Sequence, residues 1–174
     1  MSDIALANAA TYAARQHLRL AERLGFGIHG TVHVAEHEGK PYYLATKGSS
    51  IELSAVKAHN SAESYRRERA VYERLRDAET TEVLGFHVPQ FIRADDDLWV
   101  IEMSIVSRPF VLDFAGAYLD ARPDFPEETW ADWESQKREQ FGDRWRKVQA
   151  VTDAFEELGI YLVDVSPSNI AFLD

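Results

Sequence analysis

The segment Leu24-Gly25-Phe26-Gly27-Ile28-His29-Gly30-Thr31-Val32 constrains this chain more than any other, because its G-x-G-x-x-G-x-V spacing strips the side chain from three points of one loop. Glycine takes backbone angles that other residues resist. It also lets main-chain N–H groups come close to a phosphate. The same spacing serves a plain tight turn. Two kinds of nucleotide loop share it and differ in the element that comes next: a dinucleotide loop opens a helix and expects an acidic residue further on, whereas the other kind lies between two strands. Here the next residues are Thr31-Val32-His33-Val34-Ala35-Glu36, β-branched and alternating, which favours the strand.

Composition narrows the rest. The chain has 174 residues, of which 45% are hydrophobic, enough for one ordinary core or two small lobes sharing a cleft. A formal charge of −10 and a pI near 5.0 argue against a surface for DNA or RNA, which needs basic groups to displace phosphate counterions. There is no cysteine, so disulfides and thiolate chemistry are out, which fits a reducing compartment. The start, Met1-Ser2-Asp3-Ile4-Ala5-Leu6, has no basic region, and no apolar run reaches membrane-spanning length. The expectation is a cytoplasmic protein with no membrane contact.

Leu6, Ala9, Ala10 and Ala13 recur at helical spacing and predict an N-terminal helix over 4–16. Alternation predicts strands over 18–24, which a continuing helix would also fit, and over 31–37, 41–46 and 51–58, with Glu38-Gly39-Lys40 as a turn. Tyr65, Glu68, Val71, Tyr72 and Leu75 carry the three-and-four spacing of an amphipathic helix over 62–78. Two more strands, within 85–92 and over 98–103, flank the acidic turn Asp95-Asp96-Asp97. Past Pro109 the pattern predicts a short helix over 110–119. After Pro123 and Pro126 a stripe of Trp133, Phe141, Trp145, Val148, Phe155 and Leu158 predicts one long helix or two broken near Gly142. The tryptophans read as core. His29, His33 and His37 share a face and suggest a metal site less well than they suggest surface positions in a hairpin.

Asp164 and Asn169 form D-x-x-x-x-N around Pro167. In phosphoryl transfer an aspartate can orient the acceptor hydroxyl and take its proton, while an asparagine oxygen five residues on can ligate magnesium. Such residues also brace their own loop's backbone.

Taken in order, these motifs resemble the protein kinase superfamily, including its small-molecule kinase relatives, over 18–174. Gly25, Gly27, Gly30 and Val32 look like the glycine-rich loop. Ala55-Val56-Lys57 looks like the strand end whose lysine holds the α- and β-phosphates, and Glu68 like the helix glutamate that pairs with it. The 98–103 run looks like the strand entering the adenine-contacting hinge, with Glu102 and Met103 at the cofactor. Asp164 to Asn169 looks like the catalytic loop. Lys47 competes with Lys57 for the phosphate: it lies at a comfortable interval after Gly30, but Lys57 ends an apolar run a short distance before Glu68 and is preferred.

The resemblance implies a single α+β domain: an N-terminal helix (1–17), an N-lobe (18–106) whose antiparallel five-stranded sheet carries one packed helix, and a reduced helical C-lobe (107–174). It implies ATP and Mg2+ as cofactors. Several positions depart from the family pattern: Leu162 stands where a histidine is usual, and Ser166 where a lysine is. The second metal-binding aspartate, in Asp-Phe-Gly or a relative, falls beyond the sequence; Asp174 is the carboxylate offered for that role beside Asn169. The expectation is a truncated kinase-like protein that binds ATP or a related phosphate ligand, with weak or no phosphotransfer. Two alternatives stand beside it, a minimal Mg-dependent phosphotransferase using Asp164 and an interaction scaffold with a protein partner and no ligand.

Overall fold

The computed structural model describes residues 2–37, 42–43, 50–51 and 53–173. The first half runs α1 (Ser2–Gln16), β1 (Leu18–Phe26), β2 (Gly30–His37), β3 (Tyr42–Tyr43), β4 (Ser50–Ile51), β5 (Leu53–His59) and α2 (Ala62–Asp77). It continues with β6 (Glu82–Val83), β7 (Phe86–His87), β8 (Phe91–Asp95) and β9 (Val100–Ser104). The second half holds β10 (Phe110–Val111), β11 (Tyr118–Leu119), α3 (Glu127–Phe141), a 3-10 turn (Gly142–Arg144), α4 (Trp145–Glu157), β12 (Ile160–Tyr161) and β13 (Ile170–Ala171). No helix among the described residues is long and apolar enough to cross a membrane.

The fold is α+β, built on a five-stranded sheet of order β1-β2-β5-β9-β8, every pair antiparallel. Its central strand, β5, is covered on both faces. Val56 and Ala58, with Ala35 and Val100, pack against Ala5, Ala9, Tyr12 and Ala13 of α1. Ala55, Ile101 and Met103 meet α2 on the other face. Each valine, isoleucine or methionine fully buried there is worth roughly 2 kcal/mol.

α2 forms where the sequence spacing places it. Ser61 caps it, its Oγ accepting from Ser64 N–H at 3.2 Å, and Tyr65, Glu68, Val71, Tyr72 and Leu75 are its buried stripe. Asp96 is more than a solvated turn residue, since it accepts from the Tyr65 hydroxyl at 2.6 Å and ties α2 to the β8–β9 connection.

Two expectations are corrected, and a third lies largely outside the described residues. The 110–119 segment is not a helix: Phe110 and Val111 pair with Ala171 and Ile170 of β13, and Phe110 also pairs with His87 of β7. Asp113 then turns through a left-handed φ of 62°, so distant β-pairing overrides the local apolar spacing. The 85–92 run splits, with β7 leaving the main sheet for a four-stranded one of order β13-β10-β7-β6 and only β8 staying. Of the 41–46 strand, Tyr42 and Tyr43 pair with Ile51 and Ser50, and the remainder and the 38–40 turn lie outside the described residues. The helical stripe after Pro126 does break at Gly142, which has φ 53°. α4 buries Trp145, Val148, Val151 and Phe155, while α3 buries only Phe141.

Candidate functional site

The glycine loop is a closed turn between β1 and β2, with Gly27 N–H donating to Gly30 O at 2.9 Å and Gly30 N–H to Gly27 O at 3.3 Å. Gly30 is required sterically: a Cβ there would lie 2.0 Å from the Ala58 carbonyl oxygen, at φ 154°. Gly25 and Gly27 have nothing within 4 Å of a built Cβ, so what they contribute is bare backbone along the cavity they line. Asn60, just past β5, braces the turn. Its Nδ2 donates to Gly27 O at 3.3 Å and Ile28 O at 3.0 Å, and its backbone N–H to His29 O at 2.9 Å.

That cavity encloses about 610 Å³. Lys57 projects from β5 into it, between Val32 on β2 and Ile101 on β9. The side chain is 6% exposed, and its Nζ sits 2.7 Å from Glu68 Oε2 and 2.7 Å from Asp113 Oδ1. Burial pushes the ammonium's pKa down, but Glu68 and Asp113 more than offset this and hold it above the ordinary lysine value. Burial likewise pushes the Glu68 carboxyl up, and Lys57 with His59 pulls it further down, to about 2. His59 Nε2 lies 2.6 Å from the same Oε2, while its Nδ1 donates to Trp99 O at 3.0 Å. Glu68 Oε1 is buried without a hydrogen-bond partner in the protein.

The floor comes from the second half of the chain. β10–β13 pairing is extended by Leu112 N–H donating to Asn169 O at 2.8 Å, which sets Asp113 beside the Asp164–Asn169 loop. Asn169 Nδ2 donates to the Asp164 carbonyl at 2.9 Å, so this asparagine does brace its own loop, with its Oδ1 facing the Ser168 hydroxyl at 3.4 Å. Asp164 is exposed, its Cβ 3.2 Å from where a Cβ on Gly116 would stand. Trp133 Nε1 donates to Val163 O at 2.9 Å and fixes the residue before it.

Of the sequence-derived residues, the structure gathers Gly25, Gly27, Gly30, Val32, Lys57, Glu68, Met103, Asp164 and Asn169 around one cavity. Glu102 is not among them. Strand alternation turns its side chain to the α1 face, where Tyr12, Ser54 and Arg93 donate to its carboxylate at 2.6 to 2.7 Å. Lys47 and Asp174 lie outside the described residues. The three histidines do not converge: His29 lines the cavity, whereas His33 and His37 are buried side chains rather than surface ones. Sequence reasoning misses Asp113, His59 and Asn60. The available signal for Asp113 is an acid set in an apolar run just ahead of Gly116.

No group of three or more His, Cys, Asp or Glu among the described residues is arranged to hold a metal ion unaided. Magnesium does not require one, since it is commonly held by one or two carboxylates with water and phosphate oxygens completing the shell. Asp113, Asp164 and the Asn169 Oδ1 are the oxygen donors of the right kind here. No family model matches the chain, and no curated protein matches it.

Proposed function

We propose that this chain is a kinase-like domain that binds an ATP-type nucleotide together with Mg2+ in the cleft beneath the 24–32 loop. Its support is one observation: a buried Lys57 held between Glu68 and Asp113 on the wall of a 610 Å³ cavity roofed by the glycine turn. A buried ammonium is costly unless paired, and this one is paired at the place where a polyphosphate would add charge of the sign it needs. Val32, Ala55 and Met103 offer apolar contact to a purine ring, and the irregular Ile105–Val106 main chain offers polar groups along the same wall. Asp113 and Asn169 would hold the cation, whose role when bound is to neutralise phosphate charge. Asp113 thereby fills the place for which Asp174 was expected.

A thermal shift titration tests binding. A nucleotide at a hundred times its dissociation constant stabilises a fold by about 2.7 kcal/mol, which is about 5 to 10 °C in Tm for a chain of this size. ATP with Mg2+ is expected to give such a shift, smaller without Mg2+ or in Asp113→Asn, and none in Lys57→Met. Equal shifts in the native chain and in Lys57→Met refute the role given to Lys57, and none at millimolar ATP leaves the scaffold reading standing instead.

Asp113 also favours a second reading, slow magnesium-dependent transfer with Asp164 orienting the acceptor, because it supplies a second carboxylate that the motifs alone lack. Asp164→Asn should then keep ATP binding and abolish turnover of labelled phosphate. Undetectable turnover in the native chain confines the function to binding.

A further inference from the structure

A second cavity, of about 480 Å³, lies between α3, α4 and the segment just past β12. One wall is a chain of indoles set edge to face: Trp130 and Trp133 have centroids 5.7 Å apart at 82°, and Trp133 and Trp145 6.1 Å apart at 69°. Trp145 is 5% exposed, and its indole N–H is buried with no acceptor in the protein. The rim is acidic. Glu134 is held by Arg138 at 3.0 Å, but Glu127, Asp153 and Glu156 line the cavity and form no ion pair among the described residues.

One cation at this cavity shows how its aromatic wall is used. Arg122 lays its guanidinium over the Trp130 ring, 3.9 Å from the centroid, even though unpaired carboxylates line the same cavity. A flat, delocalised cation stacks on indole and still keeps N–H groups at its edge for carboxylates.

We propose that this cavity docks an arginine-bearing segment of a basic peptide. The incoming guanidinium would take the place of Arg122 on the tryptophan wall, and Asp153, Glu156 and Glu127 would supply the opposing charge. Charge complementarity selects this partner, since the chain carries −10 overall and an anionic ligand would face three unpaired carboxylates. A compact metal ion has no ready cage here. The proposal does not depend on nucleotide binding.

The test is a tryptophan-fluorescence titration of the full chain with a blocked tri-arginine peptide, run beside its citrulline counterpart, which is similar in shape and uncharged. Saturable binding of the arginine peptide is expected, with none by the citrulline one. Asp153→Asn and Glu156→Gln, both at exposed positions, should each weaken it about threefold, and raised salt should weaken it further. Trp130→Ala should weaken it about tenfold, while saturating ATP with Mg2+ leaves it unchanged. Equal binding of the citrulline peptide, indifference to both acidic substitutions, or no saturable signal at millimolar peptide overturns the proposal. Spermidine binding as tightly as the arginine peptide would overturn it in favour of a small amine.

Discussion

Replacing Lys57 with methionine keeps the length of the side chain and removes its charge, leaving Glu68 at 1% exposure with only His59 as an ionic partner. The depression of the Glu68 carboxyl from 4.5 to about 2 corresponds to about 3 kcal/mol of native-state stabilisation, in line with the loss of about 3 to 5 kcal/mol expected when one partner of a buried ion pair is removed. Against a total stability of roughly 5 to 15 kcal/mol, that is a large fraction. Urea unfolding followed by tryptophan fluorescence should show the Lys57→Met midpoint well below that of the native chain at neutral pH. The direction of the shift sets the sign with pH. Because the folded value lies below the unfolded one, the contribution is complete above about pH 4.5 and is lost as pH falls toward 2. The native chain should therefore lose stability over that interval, and Lys57→Met should lose much less. Adding Glu68→Gln to Lys57→Met removes the stranded charge and should restore about 1 to 2 kcal/mol. A Lys57→Met chain within about 0.5 kcal/mol of native, or a double variant in which the two losses simply add, would refute this account of the pair.

Gly30→Ala should cost about 3 kcal/mol, read as a fall in Tm, because the new methyl has no room against the Ala58 carbonyl. Asn60→Ala should cost about 1 kcal/mol and speed amide exchange at Gly27 and Gly30, whose turn it braces. Tyr12→Phe withdraws the 2.7 Å hydroxyl donor from Glu102 and should destabilise by about 1 to 2 kcal/mol in urea unfolding, with no change in ligand affinity because Glu102 faces away from the cleft.

Some of this architecture could be read from the sequence because its causes are local. The α2 stripe from Tyr65 to Leu75 has one buried face, so spacing reports it directly. The β-branched run after Gly30 likewise declares its strand. Glu102 and Met103 were harder. Since α1 covers the second face of the sheet, Val100, Ile101 and Met103 are all buried, and an apolar run buried on both sides carries no phase to say which residue points at the cleft. Asp113 left only a faint local signal, for a different reason. Its position depends on Phe110 pairing with Ala171 across α3 and α4, which no local window contains. His59 belongs to no motif, and only the three-dimensional meeting of β5 with α2 gives its ring a purpose.

The β10–β13 pairing also governs the order in which the cleft comes into being. The β1–β2 and β8–β9 ladders join chain neighbours, while β10 and β13 meet only after the intervening helices have folded back, at a correspondingly larger loop-closure cost. Lys57 and Glu68 are thus expected to find each other early, as one cooperative unit, with Asp113 joining them when the floor docks. The floor is also the unit expected to open first in the native state. Amides of Leu112 and Ile170 should exchange through partial openings that leave those of Val56 and Ile101 protected, making access to the site a property of the two-residue strands rather than of the sheet.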